Sequence, residues 1–300
     1  MKEIVDELKK LDLKSNPYDK AKELISKIQK YGLIQTTLHP NKVVIRARPN
    51  RDKERHTTKD SVSFKPSKFN TTYQRASTPN NTMFYGCVVP EKIGIGEPDT
   101  SRVTAIFEAS DLIRNDKDGE EIVTFSKWVV TKDIPLITIV YSKDYAKTSV
   151  FATELNELYL QMLKGLSEEL RTNSLIVSEF FANEFAKLEI VDHTDYLISA
   201  IFTELLIMKG QGGVYYPSVR TEGAGFNVAI HPDYVNGAMS LQAVGECTLY
   251  KKGKQILMDN DTFYILKDQK DTFQYQEIVD PTVRTGRETM LKILNGEIKI

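Results

Sequence analysis

The apolar residues of this chain change period twice, and that change constrains its fold more than any other feature. Between residues 151 and 208 they recur at helical spacing. Phe151, Leu155, Leu158, Met162, Leu166 and Leu170 predict one helix, and Ile176, Phe180, Phe181, Phe185 and Leu188 a second. The stretch from Tyr196 to Met208 is apolar almost all round, which predicts a helix buried on most sides. On either side of this block the chain reads as strands. LIQTTL and KVVIRA flank an HPN turn, MFYGCVV (83–89) follows, and then KWVVT (127–131) and LITIVY (136–141). After the block come GGVYYPSV (212–219), GFNVAIHP (225–232), ECTLYKKGKQIL and DTFYILKD. VTAIFEAS (103–110) is a short apolar segment, EKIGIGEPDTS (91–101) a loop, and residues 281–297 read as a closing helix. The order is helices, strands, helices, strands. That predicts an α+β fold rather than a regular βαβ alternation. No period of 20–50 residues recurs, which excludes a solenoid or propeller.

The N-terminal part is helical in its own way. Residues 2–11 read as a short charged helix. Asn16 then reads as an N-cap, with Pro17 at the first helical position and Asp19 in the first turn. Ala21, Leu24, Ile25 and Ile28 fall on one face, and Gly32 is the expected stop. The expected organisation is an N-terminal helical extension (1–35) followed by one catalytic-size domain (36–300).

Composition narrows the class. Of 300 residues, 41% are hydrophobic and 27% charged, which suits a packed globule and excludes a disordered chain. Lys plus Arg is 40 and Asp plus Glu 41, a net charge of -1, so nucleic-acid binding would need a local patch. Arg46, Arg48, Arg51, Lys53, Arg55, His56 and Lys59 form such a stretch. Asp52, Glu54 and Asp60 dilute it, and no aromatic residues alternate with the bases. No apolar run reaches the ~18 residues of a membrane span, and MKEIVDELKKLDLK lacks the apolar region of a signal peptide. Cys87 and Cys247 are too few for a disulfide framework and lack metal-ligand spacing, so two reduced thiols in a cytoplasmic protein are expected.

Standard catalytic motifs are missing. GIGEPD (94–99) lacks the third glycine of a dinucleotide fingerprint, there is no GxxxxGK[ST], and Ser218 sits in YPSVR rather than GxSxG. The four histidines are isolated, so no metal site is expected. What stands out is a set of polar residues in apolar strands: Arg46 after VVI, Glu108 after TAIF, Tyr85 and Gly86 closing MFYG, Ser218 after VYYP, and Asn227 opening the next strand. A carboxylate beside Ile106 and Phe107 is costly to bury unpaired.

Taken in order, these segments resemble the RES domain, a family named for an Arg, a Glu and a Ser. VVIRAR resembles its opening strand, and SKFNTTYQRASTPNNTMFYG a polar loop with a second Arg, here Arg75, leading to Tyr85. TAIFE resembles the segment that delivers the Glu, and GQGGVYYPSVRTEGAGFNVAIHP the late Tyr-Pro-Ser stretch and its following strand. The resemblance spans residues 43–232. It departs from the compact toxins of the family at their Gly-Arg-(Phe/Trp)-Asn run: here Phe69-Asn70 precedes Arg75, and Ala76-Ser77 follow it.

The resemblance implies an ADP-ribosyltransferase-like fold, with mixed sheets around a cleft and a helical insertion. It also implies cleavage of the nicotinamide–ribose bond of NAD, and a toxin paired with an Xre-type antitoxin. NAD is then a substrate, and no permanent cofactor is expected. The residue types suit the chemistry. Arginines such as Arg46 and Arg75 pair bidentately with pyrophosphate oxygens. An aromatic face such as Tyr85 holds the cationic nicotinamide. Glu108 would face the positive charge that builds on the ribose, hold its hydroxyls, or deprotonate the acceptor. Ser218 and Asn227 would fix the ribose or the carboxamide. Transfer of ADP-ribose to a macromolecule, or a non-catalytic binding module docking through residues 17–31, are the rival readings. A homo-oligomer is left open.

Overall fold

The computed structural model describes residues 1–90, 100–139, 150–266, 272–279, 288–293 and 295–298. The expected loop at 91–99, the end of LITIVY and residues 281–287 of the expected closing helix lie outside the described residues; residues 288–293 are helical. The named helices are α1 (Lys2–Lys9), α2 (Tyr18–Ser26), α3 (Ser101–Ala109), α4 (Asp111–Arg114), α5 (Val150–Lys164), α6 (Glu168–Phe185), α7 (Leu197–Met208) and α8 (Pro232–Ala238). The strands are β1 (Ile34–Leu38), β2 (Val43–Pro49), β3 (Phe84–Val88), β4 (Gly119–Val130), β5 (Ile134–Thr138), β6 (Gly213–Pro217), β7 (Phe226–Ile230), β8 (Met239–Lys252), β9 (Gln255–Ile265) and β10 (Gln276–Glu277). The chain is thus mixed α and β. It divides into two compact units, each built from three stretches: Met1–Pro40, Phe64–Tyr85 and Thr131–Ala238 in the first, Asn41–Ser63, Gly86–Val130 and Met239–Ile300 in the second.

In the first unit β1 pairs antiparallel with β5, β5 parallel with β6, and β6 antiparallel with β7. Gly213 sits where β6 meets β7. A Cβ there would lie 1.9 Å from the Ala229 carbonyl oxygen, and its φ of +147° favours glycine. Helices pack on the Val214/Tyr216 face. Val5, Leu8, Ala21, Leu24, Ile25, Phe181 and Phe202 share one core, in which the Phe181 and Phe202 rings stack at 3.7 Å. The N-terminal helices are therefore built into this core. Helix α7 buries nearly every side, as its composition predicts.

Several local boundaries differ from the sequence expectation. Asn16 does not cap α2. It closes a 3-10 turn at Leu13–Ser15 in the left-handed region (φ +51°), and its Oδ1 accepts from the Tyr73 hydroxyl at 2.7 Å. Helix α2 stops at Ser26, short of Gly32. The first central helix breaks after Lys164, because Ser167 caps a new helix by accepting from the Leu170 N–H. Helix α5 buries Leu155, Tyr159 and Leu163, leaving Leu158 58% exposed. That is the same period displaced around the helix.

In the second unit the order is β3-β2-β4-β8-β9-β10, antiparallel throughout. The segment VTAIFEAS is helical and forms most of α3, one face of which lies on Ile45, Ala47, Cys87, Phe125 and Cys247.

Candidate functional site

Arg46 and Glu108 belong to the second unit, Arg46 on β2 and Glu108 on α3. Ile45 and Ala47 point at α3, where they pack with Ala105, Ile106 and Phe107. Strand alternation sends Arg46, between them, to the other face with Val44 and Arg48. Its register partner Ser126 confirms this side: the Ser126 hydroxyl donates to the Val62 carbonyl at 3.3 Å and accepts from the Trp128 indole N–H at 3.0 Å. Glu108 stands half-buried in the last turn of α3. Burial pushes the Cys87 thiol well up, and the Glu108 charge pushes it the same way. Helix α3, which carries Glu108, packs on the Ile45/Ala47 face of β2, and Arg46 alternates to the other.

The other four candidates fall in the first unit. Arg75 is 9% exposed, and both its terminal nitrogens are engaged. One donates to the Phe185 carbonyl, the last of α6, and the other to the Lys187 carbonyl at 3.1 Å. Its guanidinium lies 5.0 Å over the Tyr196 ring. This is a cation closing the carbonyl end of a helix, where orphan acceptors and the helix dipole favour it. Arg75 therefore caps α6 and does not present a fork to a phosphate.

Tyr85 is half-buried. Its hydroxyl oxygen accepts from the Ala76 N–H at 3.1 Å and shares a hydrogen bond with Ser77 Oγ at 2.7 Å. Burial pushes the phenol up to about 12, against the opposing pull of Ser77, Ala76 and Arg75. Ser218 is fully buried just after β6. Its N–H donates to the Gly225 carbonyl, its carbonyl accepts from Gly223, and its hydroxyl accepts from the Thr221 N–H at 3.3 Å. It organises the loop between β6 and β7. Asn227 is buried opposite Tyr216, on whose face Phe185 also packs at 5.3 Å between rings. Arg75, Tyr216 and Asn227 thus gather around the end of α6, with Arg75 electrostatically coupled to Tyr85.

Sequence reasoning missed two polar clusters. In the first unit, Glu204 on the otherwise apolar α7 accepts from Tyr18 (2.6 Å), Lys22 (2.7 Å) and Thr78 (2.6 Å). Burial opposes its ionisation, yet these three bonds outweigh burial and hold the carboxyl below its ordinary range. In the second unit, Glu246 is buried and accepts from Arg55 (2.6 Å), Asn50 (3.1 Å) and Thr262 (3.0 Å). A carboxylate inside an apolar helix or strand is itself a signal, because burial without partners is costly. The sequence does not say where those partners come from.

Among the described residues no group of His, Cys, Asp and Glu is placed to hold a metal ion, and no helix is long and apolar enough to cross a membrane. No family model, curated protein or solved structure matches the chain.

Proposed function

We propose that the chain is an NAD-consuming enzyme of ADP-ribosyltransferase-like arrangement, cleaving the nicotinamide–ribose bond, and the toxin of a pair with an Xre-type antitoxin. The order of the Arg46, Tyr85, Glu108 and Ser218 segments supports the reading. The observation that carries it is Glu108. It stands half-buried in the last turn of α3, near enough to act electrostatically on the buried Cys87 thiol, so its charge is screened less than a fully exposed carboxylate's. Such a carboxylate stabilises the positive charge that builds on a ribosyl group as nicotinamide leaves. The Tyr85 ring keeps the nicotinamide-holding role expected of it; Tyr85 is half-buried, and Ser218 and Asn227 are buried within the first unit. Arg75 supports the fold.

The nucleic-acid alternative loses ground for a specific reason. Three arginines of the basic stretch are engaged within the second unit: Arg48 with the Ser61 carbonyl, Arg51 with Asp111, and Arg55 with Glu246.

The test is release of nicotinamide from NAD by purified protein, with water, phosphate or a protein as acceptor. Glu108→Gln is expected to lose ~10²-fold or more of the turnover, the scale of removing a transition-state stabiliser. Intact NAD under all three conditions would remove the enzymatic reading, and label from the ADP-ribose moiety recovered on protein would make the reaction a transfer.

A further inference from the structure

We infer that the N-terminal segment 16–22 is a positioning element for Tyr85, acting through a clamp on the chain just before it. The inference rests on the proposed function for the role of the Tyr85 ring, but the clamp itself is geometric.

The Tyr85 ring is held at its far end. Its hydroxyl meets the Ala76 N–H and Ser77 Oγ, and both belong to one tight turn. That turn closes on itself: the Gln74 N–H donates to the Ser77 carbonyl at 2.9 Å and the Ser77 N–H to the Gln74 carbonyl at 3.1 Å. Wherever the turn moves, the phenol must follow or lose both bonds.

The N-terminal segment holds the turn directly on one side and through Glu204 of α7 on the other. On the near side, the Tyr73 hydroxyl donates to Asn16 Oδ1 at 2.7 Å, and Asn16 holds a left-handed backbone. On the far side, Thr78 Oγ1 donates to Glu204 Oε2 at 2.6 Å, while Tyr18 and Lys22 both bind Oε1 of the same carboxylate. Asn81 completes the grip by donating to Thr78 Oγ1 at 2.8 Å. Residues 73 and 78 are thus fixed to Asn16 and to α7, and the residues between them carry the two groups that hold Tyr85. Glu204 is 16% exposed at its side chain and Thr78 only 3%, so water competes weakly for these bonds. A helix that served packing alone would need only its apolar face. Here α2 also sends Tyr18 and Lys22 to a carboxylate shared with the turn that holds Tyr85.

Thr78→Val removes the hydroxyl at constant shape, and Thr78→Ser restores it. Two readouts are used on the full chain. Hydrogen exchange at the Ala76 amide, whose acceptor is the Tyr85 hydroxyl, is expected to quicken ~10-fold or more in Thr78→Val and to return toward wild type in Thr78→Ser, as for local opening of a restrained loop. In NAD turnover, Thr78→Val is expected to raise KM ~10-fold with kcat within ~2-fold, the pattern of lost ground-state binding, again with rescue by Ser. If Thr78→Val does not fold, Lys22→Met reads the same clamp from a partly exposed position. An unchanged Ala76 amide overturns the clamp. A quickened amide with KM unchanged, while Tyr85→Ala raises KM, overturns the positioning role. Absence of NAD turnover in the wild-type protein counts against the proposed function alone, and the amide exchange then still decides the clamp.

Discussion

Arg75→Met separates a structural arginine from a ligand-binding one. Met keeps a comparable apolar stem, so the change removes chiefly the charged fork. Two carbonyls then lose their donor, Phe185 at the end of α6 and Lys187 beyond it. Hydrogen bonds to charged groups contribute ~1.5–3 kcal/mol each, and the cation over Tyr196 adds ~0.5–2 kcal/mol. Relief of the buried guanidinium's desolvation offsets part of this. The expected net loss is ~2–4 kcal/mol, among the larger values for single substitutions. Urea denaturation of the wild type and variant, read as the change in midpoint at constant slope, measures it. A loss below ~1 kcal/mol would refute the capping argument. If NAD affinity fell at the same time, the guanidinium would belong to the ligand instead.

Further predictions follow from single features. Gly213→Ala puts a methyl group into the Ala229 carbonyl at a φ alanine resists, so it is expected to abolish soluble folding or to cost more than ~4 kcal/mol, checked by expression and circular dichroism. Phe202→Ala opens a void beside Phe181 and is expected to cost ~3–5 kcal/mol in the same denaturation assay. His56 is 1% exposed, and burial, then the Arg48 charge, hold its imidazole below its ordinary range. The folded protein therefore favours the neutral ring. Its contribution is complete above the unfolded value of 6.5 and is lost as pH falls through that value toward the folded one. Between about pH 8 and pH 5 the wild type is expected to lose more stability than His56→Gln, and equal losses would contradict this.

Much of the element order is legible in the sequence, because period and apolarity report burial directly. The all-round apolarity of Tyr196 to Met208 marks α7, and the short β-rich runs mark β3, β6 and β7. Boundaries are less legible: nothing in the apolar period of α5 announces that Ser167 restarts the helix. The site is harder still. In VVIRAR both faces of β2 are covered, Val44 and Trp128 on one side and Ile45 and Ala47 on the other, so alternation does not reveal which face is the cleft. Arg75 reads as a phosphate ligand until α6 is seen to end beside it. Glu204 and Glu246 find partners far along the chain, which no local pattern encodes.

The alternation of the two units along the chain bears on how the protein is made. Strand β4 leaves the ribosome with β2 already available, yet its other neighbour, β8, arrives only after the whole helical block has been synthesised. For that interval one long border of β4 stands open to any passing strand. Translation pauses inside the helical block would prolong this exposure, and a helper that shields the half-built sheet would have its substrate there.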